Sequence, residues 1–165
     1  MIKLFTDEGW PNFSEDDGIL STGAPIIFIW GGRGTGKTYG ALKHVHEKEE
    51  EFLYLRRTPQ QAELICSSPL MWPWSPLNND LQTHYAPFKM SQIAGMYEVG
   101  NAGAYTDTGV PIRPAQMSGV LGNVVTMART RGFSSPSTDI IILDEYQKEE
   151  SDYYRRGEGV GLANI

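Results

Sequence analysis

Eight consecutive residues in the first quarter of the chain have the composition and spacing of a phosphate-binding loop. They match the pattern G-x-x-x-x-G-K-[ST] and are Gly31, Gly32, Arg33, Gly34, Thr35, Gly36, Lys37 and Thr38. Glycines allow successive backbone N–H groups to turn towards one anion, and the lysine ammonium can reach the β- and γ-phosphates of a nucleotide. The threonine hydroxyl would hold Mg²⁺. The sequence therefore predicts a site for ATP and Mg²⁺; the alternative is a glycine-rich turn that matches the motif by chance.

A second group with chemical potential is the pair of acids that ends an apolar stretch. Asp144 and Glu145 follow four apolar residues, Ile140–Leu143. A strand buried on both faces of a parallel sheet is continuously apolar, and ligands bind at its carboxyl end. We expect Asp144 to meet Mg²⁺ through water, opposite Thr38, and Glu145 to polarise the water that attacks the γ-phosphate. A water-activating glutamate favours hydrolysis over phosphoryl transfer to a nucleoside. The alternative is that both acids end a strand and face solvent.

The residues on either side of the loop predict the elements that such a site needs. Residues 25–30 form a short apolar run, which predicts a strand entering the loop. Residues 39–50 predict a helix, because Ala41, Leu42 and Val45 share one face. Bound phosphates would then lie at a helix N-terminus.

Four sequence features, taken together, carry a family resemblance. They are the arginine inside GGRGTGKT, the aromatic Tyr39 after Thr38, the strand FLYLRR at 52–57 and the sequence LDEY at 143–146. In these features the chain resembles the phi-twenty-nine-type phage DNA-packaging ATPases, which are relatives of the large terminases. The resemblance covers about residues 24–65 and 124–155. It implies an α/β P-loop NTPase of the additional-strand, catalytic-glutamate (ASCE) type, with a mostly parallel sheet flanked by helices.

The same resemblance implies a function and partners. The chain would hydrolyse ATP to drive double-stranded DNA into a procapsid, as part of a homo-oligomeric ring on the portal in the cytoplasm of an infected cell. Arg131 stands where these ATPases carry a basic residue linked to turnover, and it would stabilise charge in the transition state; the alternative is a surface arginine on a loop. The segment before the first strand helps to hold adenine in these ATPases. Here that segment is acidic and contains Trp10 and Phe13, and its alternative role is a mobile arm.

Two other functions remain open at this stage. One is a different ring-forming translocase or helicase-like NTPase. The other is an assembly module that binds ATP as a switch without useful turnover.

Composition and charge limit these functions. A length of 165 residues with 40% hydrophobic content suits one α/β domain. The chain has no apolar run long enough to span a bilayer and no signal-peptide pattern, so we expect a cytosolic protein. The single cysteine, Cys66, excludes an internal disulfide and a thiolate cluster, and we expect it on a hydrophobic helix face.

The net charge of −6 predicts weak DNA binding by the chain alone, because DNA affinity comes mainly from cations on phosphates. A ring could still present a basic pore, and the candidates are Arg56, Arg57, Arg129 and Arg131. For the first two, a strand-end pair that holds the sheet or faces solvent is an equal alternative.

The middle of the chain gives weaker signals. Residues 67–81 contain three prolines and two tryptophans, which predict a loop with its indoles on the core or at a subunit contact. Residues 83–117 predict one or two β-hairpins with a turn near 101–103, and residues 119–127 predict a further strand.

The short stretch after Glu145 predicts an incomplete core. Only residues 146–165 follow it, whereas the resembled family continues with a helix, a sensor strand and an arginine finger that acts on a neighbouring subunit. Arg155 and Arg156 fall earlier than that finger would. We therefore expect a fragment or shortened ATPase core that lacks its trans-acting arginine and any C-terminal nuclease-like domain. In isolation it would be monomeric and bind ATP, but hydrolyse it very slowly and without stimulation by DNA.

Overall fold

The computed structural model describes residues 1–89, 96–101, 119–123 and 140–144. The chain divides into two compact units, an N-terminal unit (Met1–Glu49) and a sheet unit (Glu50–Ile165). The phosphate-loop motif belongs to the N-terminal unit, and Asp144 belongs to the sheet unit.

The main element of the N-terminal unit is the helix that the sequence predicts after the loop. Helix α1 spans Lys37–Lys48 and so begins two residues earlier than expected. Leu42 and Val45 are buried, as the apolar spacing predicts, and His44 is buried between them. The helix ends where Glu49 adopts a left-handed conformation.

The N-terminal segment that precedes the loop packs on α1. Phe5 and Pro11 form an isolated antiparallel bridge that folds the segment back on itself. The carboxylate of Glu15 then contacts α1 at two points, the Nε2 atom of His44 at 3.8 Å and the Nζ atom of Lys48 at 3.1 Å. Within this unit the N-terminal segment is thus packed on the helix.

The predicted strand at residues 25–30 is absent, which corrects the sequence-based expectation. Exposure alternates along this segment, and Ile26, Phe28 and Trp30 are 72, 80 and 85% exposed. Alternating apolar residues favour an extended backbone, but a strand also needs a neighbour with which to form a ladder. Among the described residues, no strand pairs with this segment.

The sheet unit contains a mixed sheet, and its described strands are β1 (Phe52–Arg56), β2 (Tyr85–Lys89), β3 (Tyr97–Asn101), β4 (Gly119–Asn123) and β5 (Ile140–Leu143). Their spatial order is β2-β3-β4-β1-β5. Strand β1 pairs in parallel with β4 and β5, whereas β3 pairs antiparallel with β2 and β4. The α/β class is as expected, but the sheet is mixed. One reason is that a short connection, such as that between β2 and β3, can join only antiparallel neighbours.

Several predicted strands are confirmed within the described residues. Strand β5 coincides with the apolar run before Asp144, and β4 begins at Gly119 as expected. Strands β2 and β3 pair antiparallel, which confirms a hairpin within residues 83–117, but residues 90–96 connect them and not the predicted turn near 101–103. Asn101 is the last residue of β3, and the rest of the predicted turn lies outside the described residues, as do residues 124–127.

Two helices lie between β1 and β2 in the sequence. Helix α2 (Pro59–Ser67) begins at a capping box formed by Thr58 and Gln61. It carries Cys66, whose burial raises the pKa of the thiol to about 12. The thiol therefore stays protonated near neutral pH, in agreement with the structural role expected for it.

Helix α3 (Ser75–Leu81) corrects the prediction that residues 67–81 lack a regular helix. Pro76 lies in its first turn, where the missing N–H has no intrahelical partner to lose. Among the described residues, no helix has both the length and the apolar character needed to cross a membrane.

Candidate functional site

The phosphate-loop motif adopts a backbone that depends on its glycines. Gly34 and Gly36 have φ angles of 73° and 77°, in the left-handed region that other residues rarely adopt. Gly36 is also the N-cap of α1, so the helix starts directly at Lys37. The loop therefore ends at the positive end of the helix dipole, which favours anions.

The side chain of Lys37 crosses the loop. Its Nζ atom donates hydrogen bonds to the carbonyl oxygens of Gly31 at 3.0 Å and Gly32 at 2.6 Å, and to the Oγ1 atom of Thr35 at 3.1 Å. Thr35 in turn donates to the Gly32 carbonyl at 3.0 Å. The loop thus holds a positive charge among its own backbone atoms, on the exposed side of the helix start.

The other predicted site residues of this segment differ in exposure. Arg33 is exposed, whereas Thr38 and Tyr39 are half-buried in the first turn of α1. A hydroxyl at the start of a helix that follows such a loop is the type of ligand that Mg²⁺ accepts.

Two aromatic side chains pack where the loop joins α1. A Cβ atom added to Gly36 would lie 2.5 Å from the Cε3 atom of Trp10, and one added to Gly40 would lie 2.8 Å from the Cε2 atom of Phe13. These contacts explain why glycine is needed at both positions. Trp10 remains 47% exposed, so part of its ring stays accessible beside the loop.

In the sheet unit, polar residues gather at the carboxyl edge of the parallel strands. Arg56 ends β1 and lies in register with Asn123, which ends β4 and is fully buried. Asp144 follows β5, and its backbone N–H donates to the Leu55 carbonyl at 3.1 Å. Ligands of open α/β sheets bind at this edge.

The carboxylate of Asp144 has two neighbours on the adjacent strand β1. The Tyr54 hydroxyl donates a hydrogen bond to its Oδ2 atom at 2.5 Å, and the Nη1 atom of Arg56 lies 3.5 Å from the same oxygen. The Arg56 and Asp144 side chains are 13% and 26% exposed. The carboxylate is therefore oriented by both groups while part of it remains accessible.

The ring of Tyr54 is held in place by Trp74. Its ring is completely buried and meets Trp74 edge to face, with centroids 6.4 Å apart, and Trp74 lies 6.2 Å from Trp72. Burial, followed by the charge of Asp144 and the hydrogen bond to it, raises the pKa of Tyr54 well above its ordinary value. The hydroxyl therefore keeps its proton and acts as the donor.

Sequence reasoning assigned no role to Tyr54 or Asn123. A signal was present, because a tyrosine in an otherwise apolar buried strand needs a partner for its hydroxyl. The sequence also predicted that the indoles of residues 67–81 pack on the surface of the core or at a subunit contact. Trp74 packs on the core but is itself buried against Tyr54, whereas Trp72 is half-buried.

Of the arginines considered for DNA contact, the structure describes Arg56 and Arg57. Arg57 is 5% exposed, and Arg56 is covered and paired with Asp144, which supports the sheet-holding alternative for both. The expected catalytic residues Glu145 and Arg131 lie outside the described residues, as do Arg129, Arg155 and Arg156.

The described donor groups fit the ligands that the sequence predicts. A glycine loop with a fixed ammonium at a helix start suits phosphates, and a threonine hydroxyl and an aspartate carboxylate are the hard oxygen donors that Mg²⁺ prefers. No protein-family model, curated protein or solved structure matches this chain. The chemistry of these residues is therefore the basis for a functional proposal.

We expect Gly36→Ala to destabilise the protein more than Gly23→Ala. Both glycines have positive φ, but a Cβ at Gly23 meets nothing within 4 Å, whereas one at Gly36 meets the Trp10 ring. Left-handed strain costs about 1–2 kcal/mol in either variant, and overpacking adds about 1–3 kcal/mol in Gly36→Ala. Urea unfolding measures both losses.

A double variant provides the control for this prediction. In a Trp10→Ala background the extra loss caused by Gly36→Ala should disappear, because the ring that the methyl group meets is gone. Equal losses for Gly36→Ala and Gly23→Ala in the wild-type background would show that Trp10 does not pack on the loop.

Proposed function

We propose that this chain is the ATP-hydrolysing motor domain of a viral DNA-packaging machine, a Mg²⁺-dependent P-loop ATPase of the ASCE type. The observation that carries the proposal is the loop, which turns at the left-handed Gly34 and Gly36 into the start of α1 and holds the ammonium of Lys37 on two of its own carbonyl oxygens. The resemblance in FLYLRR and LDEY supports packaging in particular. The partners would be double-stranded DNA, a procapsid portal and further copies of the chain in a ring.

The proposed chemistry gives each residue one task. Backbone N–H groups of the loop and Lys37 bind the β- and γ-phosphates. Thr38 and Asp144 hold Mg²⁺, which when bound neutralises phosphate charge. Glu145 orients the attacking water and accepts its proton, and Arg131 stabilises the negative charge that develops on the γ-phosphate.

Trp10 is the aromatic residue that we assign to the adenine. It touches Gly36 and is 47% exposed, so its ring can stack on a base next to the phosphate loop. Phe13 packs deeper on α1, against Gly40.

Phosphate release from ATP, measured with and without double-stranded DNA and procapsids, tests this function. A packaging motor should hydrolyse ATP faster when DNA and procapsids are both present, and DNA should become resistant to nuclease as it enters the procapsid. Stimulation by DNA alone, without protection, would instead indicate another ring translocase or a helicase-like enzyme.

An assembly module that binds ATP as a switch is the second candidate. The net charge of −6 and the burial of Arg56 and Arg57 favour it, because few described cations of the sheet remain to contact DNA. Such a module would bind ATP and change its oligomeric state in sedimentation, with no turnover under any condition of the assay.

Lys37→Ala should abolish ATP binding, because it removes the cation at the β- and γ-phosphates. Lys43→Ala is the matched control, since Lys43 lies on the same helix and pairs with Glu47 at 3.6 Å. Calorimetry measures both affinities. If Lys37→Ala keeps an ATP affinity within about threefold of wild type, a change below roughly 0.7 kcal/mol, the loop assignment is wrong.

Glu145→Gln should leave ATP binding intact and slow hydrolysis by about a hundredfold or more, as expected for loss of a general base. Asp144→Asn should differ by weakening Mg²⁺-dependent binding itself. Single-turnover hydrolysis and calorimetry separate the two effects. Unchanged turnover in Glu145→Gln would remove Glu145 from the mechanism.

A further inference from the structure

We propose that Tyr54 is the positioning residue for Asp144, and that its hydroxyl sets the orientation in which this carboxylate binds Mg²⁺. The inference rests on the proposed function, because it takes Asp144 as a Mg²⁺ ligand. In this role Tyr54 touches neither the nucleotide nor the metal and acts through Asp144.

The geometry of the contact supports this role. The Tyr54 hydroxyl donates to the Oδ2 atom of Asp144 at 2.5 Å, within the range of hydrogen bonds from hydroxyls to carboxylates. Tyr54 is aligned with Ile142 of the neighbouring strand β5, two positions before Asp144, which directly follows that strand. The donor belongs to strand β1, which lies between β4 and β5 and is buried at Phe52–Leu55, so its position is set by the sheet.

Packing behind the tyrosine restricts its ring. Trp74 meets the ring edge to face at an interplanar angle of 80°, and Trp74 is 1% exposed. A ring held in this way cannot follow a carboxylate that rotates. The hydrogen bond therefore constrains Asp144, and Asp144 does not displace the tyrosine.

The neighbouring guanidinium shows why a neutral donor matters here. Arg56 approaches the same Oδ2 atom at 3.5 Å and balances the charge of the carboxylate. A fixed cation close to a metal ligand opposes the binding of a second cation, whereas a hydroxyl orients the ligand without adding charge. Without the tyrosine hydroxyl, the carboxylate would be drawn more strongly towards Arg56 and away from Mg²⁺.

Removal of a group that hydrogen-bonds to a metal ligand usually lowers the affinity for the metal. Such substitutions typically cost 10–100-fold in metal affinity or activity. Tyr54→Phe is the sharpest change available, because it deletes the hydroxyl and keeps the ring that packs on Trp74. Tyr85→Phe is the matched control, since Tyr85 is a buried tyrosine of the same sheet.

The experiment measures binding of the ATP analogue AMP-PNP by calorimetry, once in EDTA and once in excess MgCl₂. The ratio of the two affinities is the Mg²⁺ enhancement, and it does not depend on turnover. We expect Tyr54→Phe to lower this enhancement by about tenfold or more, with the affinity in EDTA unchanged. Tyr85→Phe should keep the wild-type enhancement.

Asp144→Asn separates failure of the inference from failure of the proposed function. If Asp144→Asn lowers the enhancement and Tyr54→Phe leaves it within about twofold of wild type, the positioning role is wrong and the proposed function stands. If Asp144→Asn also leaves it unchanged, Asp144 is not a Mg²⁺ ligand, and both are overturned. A loss of affinity in EDTA equal to that in MgCl₂ would show a general structural effect of Tyr54→Phe and would also overturn the positioning role.

Discussion

The parallel pairing of β1 with both β4 and β5 is the constraint on which the chemistry of the sheet unit depends. Parallel strands end at the same edge, so this pairing brings the carboxyl ends of three strands together. Asp144 is placed beside Tyr54 and Arg56 for this reason, although about 90 residues separate them in sequence. The buried side chains of β1 fix that edge, and the edge in turn fixes the direction of the carboxylate.

The N-terminal unit holds charge by a different means. There the backbone itself supplies the partners, because Lys37 donates to two carbonyl oxygens of the loop that precedes its helix. Left-handed glycines give the loop its curvature, and Trp10 packs against the point where it becomes α1. Each unit therefore fixes one charge by its own means, a cation held by backbone carbonyls in the first and an anion held by a tyrosine hydroxyl in the second.

Local patterns account for the features that the sequence predicted correctly. Helix α1, strand β5 and the β2–β3 hairpin each follow from the spacing of apolar residues within one short segment. Residues 25–30 have the same kind of pattern, yet a strand needs a hydrogen-bonding neighbour, which no local pattern supplies. The contact of Trp74 with Tyr54, and of Tyr54 with Asp144, joins segments that are distant in sequence, so only the fold could show it.

We propose that the glycine loop binds the phosphates of a nucleotide and that Asp144 is a ligand of its Mg²⁺. The most direct measurement is an experimental structure of the protein with AMP-PNP and Mg²⁺. We expect the β- and γ-phosphates within hydrogen-bonding reach of Lys37, and Thr38 and Asp144 as ligands of the metal, with the Tyr54 hydroxyl still on the carboxylate. A nucleotide bound away from the loop, or a metal with no contact to Asp144 either directly or through one water, would contradict it.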